Sequence, residues 1–149
     1  MFRITKPTVV TRLLRATLLP AMLLMNSVAL PRTVDAGTID FSTYAAVAFS
    51  PSTGHYGYSW DAPSRGRAEQ MALAKCAEKD ARIVGWVQGG WLVLAIGNDN
   101  IYGVGWEYGD GAANTDAVRR AKSECQKRGG KVHTLVILCS GDIDPQIVK

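Results

Sequence analysis

The chain has 149 residues, of which 47% are hydrophobic, with 17 basic residues, 13 acidic residues and three cysteines. Five of the basic residues (Arg3, Lys6, Arg12, Arg15, Arg32) and one acid (Asp35) precede Gly37, leaving 12 of each sign in the remainder. That balance excludes the basic surface needed to bind nucleic acid or an anionic membrane, and the remainder is long enough for one modest core.

The opening residues read as an export signal. A basic start without acids is followed by the apolar run Ala16–Leu30, and Val34-Asp35-Ala36 offers small residues where a signal peptidase reads. The run contains Pro20 and Asn26 and falls short of the roughly 18 residues of a spanning helix. We therefore expect a signal peptide over 1–36, a single exported domain over 37–149 that is secreted or periplasmic, and no membrane span after cleavage.

In that domain, Tyr44–Ser50 is a short apolar run that ends in the turn signal Pro51-Ser52-Thr53-Gly54. His55–Trp60 alternates large and small, so Tyr56, Tyr58 and Trp60 share one strand face, with Gly57 and Ser59 on the other. Ser64 is placed to cap a helix running to about Lys79, with Ala68, Ala72 and Cys76 as a stripe of small side chains. Arg82–Gln88 reads as the next strand. Trp91–Gly97 and Ile101–Tyr108 then form a hairpin around Asn98-Asp99-Asn100, a polar turn suited to positive φ. Tyr102, Val104, Trp106 and Tyr108 line one face of its second strand, opposite Gly103 and Gly105. Thr115 is expected to cap a second helix to about Arg128, with Gly129-Gly130 stopping it and Val132–Cys139 as the closing strand. The tail, 141–149, is expected to be mobile.

The second half of this plan repeats the first. Ala48, Tyr56, Gly57, Trp60, Ala68, Ala72 and Cys76 recur as Ala95, Tyr102, Gly103, Trp106, Ala117, Ala121 and Cys125, at offsets of 46 or 47 residues through Trp106 and 49 after it. Repeats at about 44–88 and 91–140 imply an α+β fold: a tandem ββαβ pseudo-repeat in one mainly antiparallel sheet, with both helices packed on one face.

The residues that carry this pattern, Tyr44–Ser50, Tyr56–Trp60, Arg67-Ala68-Glu69 through Cys76, Leu94-Ala95-Ile96-Gly97 and Leu138-Cys139-Ser140, resemble the secreted bacterial domain-of-unknown-function 4189 family. The resemblance covers roughly Tyr44 to Ser140. It implies export and a small disulfide-bonded domain, and it implies no established reaction. Similar members often carry cysteines just after the first helix, before the third strand pair and at the start of the last strand. Here those stretches are Asp80-Ala81-Arg82, Gln88-Gly89-Gly90 and Lys131-Val132, so the family's disulfide framework does not carry over.

Motifs for chemistry are sparse. Cys125 and Cys139 could be joined in a disulfide, or all three cysteines could be buried thiols. His55 and His133 lack ligand-spaced neighbours, so neither a metal nor a cofactor is expected. Asp99, Glu107 and Asp110 lie near the second hairpin, where an acid pair is conceivable. No nucleophile elbow surrounds Ser50, Ser64 or Ser140, and the glycines of Ile101–Gly105 sit in a strand and not before a helix, which rejects a dinucleotide loop.

The aromatic rows Tyr56, Tyr58, Trp60 and Tyr102, Trp106, Tyr108 are the candidate binding surface. They form a platform if exposed, or core if the helices cover them. The reading that results is a non-enzymatic exported module binding a protein or glycan outside the cytoplasm. The alternatives are a small extracytoplasmic hydrolase with its site between the repeats, using Asp or Glu with His55, and a structural envelope component working through self-association.

Overall fold

The computed structural model describes residues 42–109 and 114–149. The expected leader and Asp110 lie outside them. Among the described residues no helix is long and apolar enough to cross a membrane.

The chain order is β1 (Tyr44–Phe49), β2 (Tyr56–Ala62), α1 (Arg65–Cys76), β3 (Arg82–Gln88), β4 (Gly90–Gly97), β5 (Tyr102–Tyr108), α2 (Thr115–Lys127), β6 (Val132–Cys139) and β7 (Gln146–Val148). The α+β class and the antiparallel pairing are as expected, but the single sheet is not. The strands form two sheets, ordered β2-β1-β3 and β5-β4-β6-β7. Each sheet carries its own helix on its outer face, and β2 lies over β6, β1 over β4 and β3 over β5.

The reason is visible in the two central strands. β1 is buried from Ala45 to Phe49 and β4 along its whole length, so both of their faces need cover. In β1, Ala45, Val47 and Phe49 point into a shared core with Leu92, Leu94 and Ile96 of β4. The alternate residues Ala46 and Ala48 meet Ala68, Ala72 and Cys76 of α1, and Val93 and Ala95 meet Ala117, Ala121 and Cys125 of α2. A two-residue strand period thus sends large side chains between the sheets and small ones under the helices. One sheet with both helices on one face would leave the inter-sheet core in water.

The helices approach on the glycine faces of β2 and β5. A side chain at Gly57 would overlap backbone of α1, and one at Gly103 or Gly105 would overlap backbone of α2. Ser64 caps α1 as expected, its Oγ accepting from the Arg67 N–H at 3.3 Å. At α2 the cap position belongs to Asn114, and Thr115 is already the first helical residue. The turn at Asn98–Asn100 has positive φ at Asp99 (55°) and Asn100 (57°). The Asn100 amide donates to the carbonyls of Pro51 (3.1 Å) and Ser52 (3.3 Å), joining the loops of the two halves.

The tail expected to be mobile holds β7, which pairs through Gln146–Val148 with Ile137–Leu135 of β6. Two β-branched residues, Ile147 and Val148, suit an edge strand. All three cysteines are buried free thiols, so the Cys125–Cys139 disulfide is absent. Cys125 donates instead to the Ile101 carbonyl at 3.6 Å, and Cys76 to that of His55 at 3.5 Å. Burial raises the pKa of Cys76 and of Cys125, which keeps both in the unreactive thiol form.

Candidate functional site

The two aromatic rows do not form one surface. β2 and β5 border the sandwich on opposite sides, since β2 lies over β6 and β5 lies under β3. Tyr56, Tyr58, Trp60 and Tyr102 are half-buried against the inter-sheet core. Adjacent rings on β2 lie 6.0–6.4 Å apart, and the Lys75 ammonium sits 4.8 Å from Trp60 and 5.2 Å from Tyr58. Tyr102 packs on Phe49 with ring centroids 4.7 Å apart. Between exposed platform and covered core, these four residues are lateral walls of the core. Trp106 (45% exposed) and Tyr108 (65%) are different and stand open to solvent.

Beside them stands a residue that the sequence pattern did not single out. Trp86 of β3 is exposed at the same border of the sandwich. It lies with Trp106 and Tyr108 along a groove of about 590 Å³, floored by Val84, Gly85 and Val104. In the second sheet Ile137 lies opposite Val93 as Trp86 lies opposite Ala46 in the first, and no aromatic residue there pointed to Trp86. The Arg65 guanidinium stacks 4.2 Å from the Trp86 ring and donates to Glu69 at 2.7 Å. A stacked cation of this kind contributes about 0.5–1 kcal/mol and holds both groups in place.

Past Val84, Val104 and Trp106 the depression continues for about 420 Å³ toward α2, where it meets Arg120, Glu124 and Arg128. Arg120 donates to the Trp106 carbonyl (3.4 Å) and Arg128 to that of Tyr102 (3.2 Å). Both carbonyls face away from β4, so α2 caps the free edge of β5. The Arg128 guanidinium also lies 5.4 Å from the Tyr102 ring, whose hydroxyl accepts from Arg82 at 3.3 Å. Aromatic faces, apolar floor and paired arginines suit capture of a ligand with both apolar and polar edges.

Of the groups proposed for hydrolysis, His55 pairs with an acid and the others lie apart from it. His55 Nδ1 meets Glu78 Oε1 at 2.5 Å, but the imidazole is 69% exposed and no serine, threonine or cysteine side chain is hydrogen-bonded to it among the described residues. Ser50 Oγ donates to Asp80 Oδ1 at 2.6 Å. Ser140 Oγ accepts from the Gly90 N–H at 2.9 Å, and Ser64 is a helix cap. Asp99 and Glu107 stand at opposite ends of β5, about 20 Å apart along the strand. Glu107 points to the α2 side, away from Trp106, and its Oε2 has no hydrogen-bond partner among the described residues. His133 Nδ1 contacts Thr134 Oγ1 at 2.9 Å, and no cluster of three metal-ligating side chains exists among the described residues.

Asp80 has a structural duty that can be tested. Hydrogen bonds from the buried Ser50 hydroxyl and the Ser52 N–H hold its pKa below the usual carboxylate range. A depressed folded pKa stabilises above the unfolded value of about 3.9, and the benefit disappears as pH falls through the folded value. Asp80→Asn should therefore lower the melting temperature near neutral pH, with the gap to the parent closing below about pH 4. A gap that persists unchanged in acid would contradict this role.

Comparison with curated proteins and with solved structures gives no match. The family model described as Domain of unknown function (DUF4189) matches residues 44–139, which takes in every strand and helix from β1 to β6, and the chain belongs to that family.

Proposed function

We propose that this domain is a non-enzymatic binding module that holds a protein or glycan in the groove between β3 and β5. One observation carries the reading: Trp86, Trp106 and Tyr108 are exposed together along one apolar-floored groove. Large aromatic side chains in a small domain gain more from burial than from exposure, so three around one depression favour a surface completed by a ligand.

Trp106→Ala tests it. Removing a half-exposed ring should change the melting temperature by no more than about 2–3 °C, because little packing is lost. Crosslinking capture from the host's envelope and culture fluid should lose its enriched species at least tenfold, as expected when an aromatic anchor worth about 2 kcal/mol is truncated. Equal recovery by parent and variant would refute the groove reading.

We also propose that the module works outside the cytoplasm. Support comes from the basic start, the apolar Ala16–Leu30 run and the small residues ending at Ala36. Protein recovered from culture fluid or periplasm should begin at Gly37 when its N-terminus is sequenced. Recovery of the uncut chain in the cytoplasm would overturn this placement.

A further inference from the structure

A sheet edge exposes main-chain N–H and C=O groups, and each edge of this sandwich is treated differently. The second sheet is extended past β6 by β7, a three-residue edge strand. β5 has its outward carbonyls at Tyr102 and Trp106 taken by Arg128 and Arg120. The outer edge of β2 likewise has no strand bonded to it among the described residues, and the Lys75 ammonium there meets the Tyr58 and Trp60 rings. The outer edge of β3 has neither strand nor side chain bonded to it among the described residues, and the 590 Å³ groove runs directly along its residues Ile83–Trp86.

The second sheet shows what suits such an edge. β3 and β6 are equivalent strands, each antiparallel to the central strand of its sheet. Val47 faces Gly85 as Leu94 faces Val136, and Ala46 faces Trp86 as Val93 faces Ile137. β7 lies on β6 with Ile147 opposite Val136 and Gln146 opposite Ile137. The register shift of β3 falls at Val84, between Ile83 and Gly85, whereas that of β6 lies between Val132 and Thr134, outside the residues that β7 pairs with, so the likeness to β6 is carried by Gly85 and Trp86. The Gly89 N–H donates to the Thr43 carbonyl at 3.4 Å. Antiparallel alternation then assigns Val87 and Gly85 to β1 and turns the N–H and C=O of Trp86 outward.

We propose that the edge of β3 takes an extended, branched-apolar peptide segment of another protein as a fourth strand of the first sheet, in the place β7 holds on β6. The proposal rests on the groove reading above and specifies its ligand. Side chains of directly paired residues share a sheet face. The peptide residue opposite Gly85 therefore enters the groove beside Val104 and Trp106, next to the space over Gly85 that Val104 and Leu92 already fill, and a branched apolar side chain suits that lining. The residue opposite Trp86 lies on the outer face beside Arg65 and Glu69, which suits a polar side chain. Gln146 and Ile147 of β7 have this order of characters, which makes the tail a ready probe.

The test titrates the acetylated peptide Gly-Asp-Ile-Asp-Pro-Gln-Ile-Val-Lys, the sequence of residues 141–149, into the isotopically labelled full-length protein. In the β7 register the N–H groups corresponding to Gln146 and Val148 face the receiving edge, and that of Ile147 faces away. Exchange of the Trp86 amide should slow at least tenfold at saturation. A peptide N-methylated at the Gln146 and Val148 positions should lose binding, and one methylated at the Ile147 position should keep it. Trp86→Pro, which deletes the outward N–H, should bind at least tenfold more weakly than Trp86→Ala, which deletes the ring alone. Movement of Trp106 ring signals without protection of the Trp86 amide would overturn strand addition and leave the groove reading intact. No response by either tryptophan at millimolar peptide, or equal loss on both methylation patterns, would also overturn strand addition. The groove reading itself is judged separately by the capture loss at Trp106→Ala.

Discussion

Phe49→Ala should be among the most damaging single truncations, costing about 3–5 kcal/mol, the range for deleting a buried phenyl ring. Phe49 is 0% exposed and belongs to the core shared by the two sheets. Its ring meets Tyr102 of the second sheet at 4.7 Å, so the cavity would open between layers, where relaxation requires moving a whole sheet. For a domain stable by about 5–15 kcal/mol that is a large share of the total. Urea unfolding should show a lower midpoint with the slope retained, because one cooperative unit is weakened and none is separated. A cost below about 1 kcal/mol would mean that the inter-sheet core is not what joins the two halves. The groove should feel the change too, since Tyr102 forms part of its α2 end.

Much of this architecture was legible in the residues. The alternation of Tyr56-Gly57-Tyr58-Ser59-Trp60 put the glycine on one face and the rings on the other. The Ala68, Ala72 and Cys76 stripe specified a helix that sits close to a sheet. What the sequence left open was which layer each strand face meets. Tyr44–Phe49 is nearly all small or apolar, so period alone cannot say that Val47 and Phe49 face a second sheet and Ala46 and Ala48 a helix. That ambiguity produced the expectation of one sheet. β7 was hidden because three residues are too few for a periodic signal, and Pro145 just before it reads as a break. The candidate site was legible in part. Trp106 and Tyr108 came from the aromatic row, but Tyr56, Tyr58 and Trp60 fall on the opposite border. Trp86 and the arginines of the helices were missed, because only the stacking of β3 over β5 brings them to one groove.

Gly105→Ala should be nearly as costly as the loss of the Phe49 ring, for the opposite reason. A Cβ at Gly105 would overlap the Ala117 carbonyl and lie 2.7 Å from the Ala121 nitrogen, both backbone atoms of α2. No side chain can yield there, because Ala117 and Ala121 are already small and fully buried. The helix itself must retreat from the sheet, and overpacking of this kind costs about 1–3 kcal/mol or more. At about 4–8 °C per kcal/mol for a domain of this size, the melting temperature should fall by about 10 °C or more. The same substitution at Gly66, in the first turn of α1 with no atom within 4 Å of the added methyl, should raise stability by about 0.5–1 kcal/mol through helix propensity. The pair separates close approach from chemistry, since both changes add one methyl to a glycine. Retreat of α2 would also draw Arg120 and Arg128 from the Trp106 and Tyr102 carbonyls and bare the edge of β5. Amide exchange along Tyr102–Tyr108 should then quicken in Gly105→Ala and remain slow in Gly66→Ala. If both variants melt alike, the glycine faces of β2 and β5 are not what seats the helices, and α2 does not guard that edge by position.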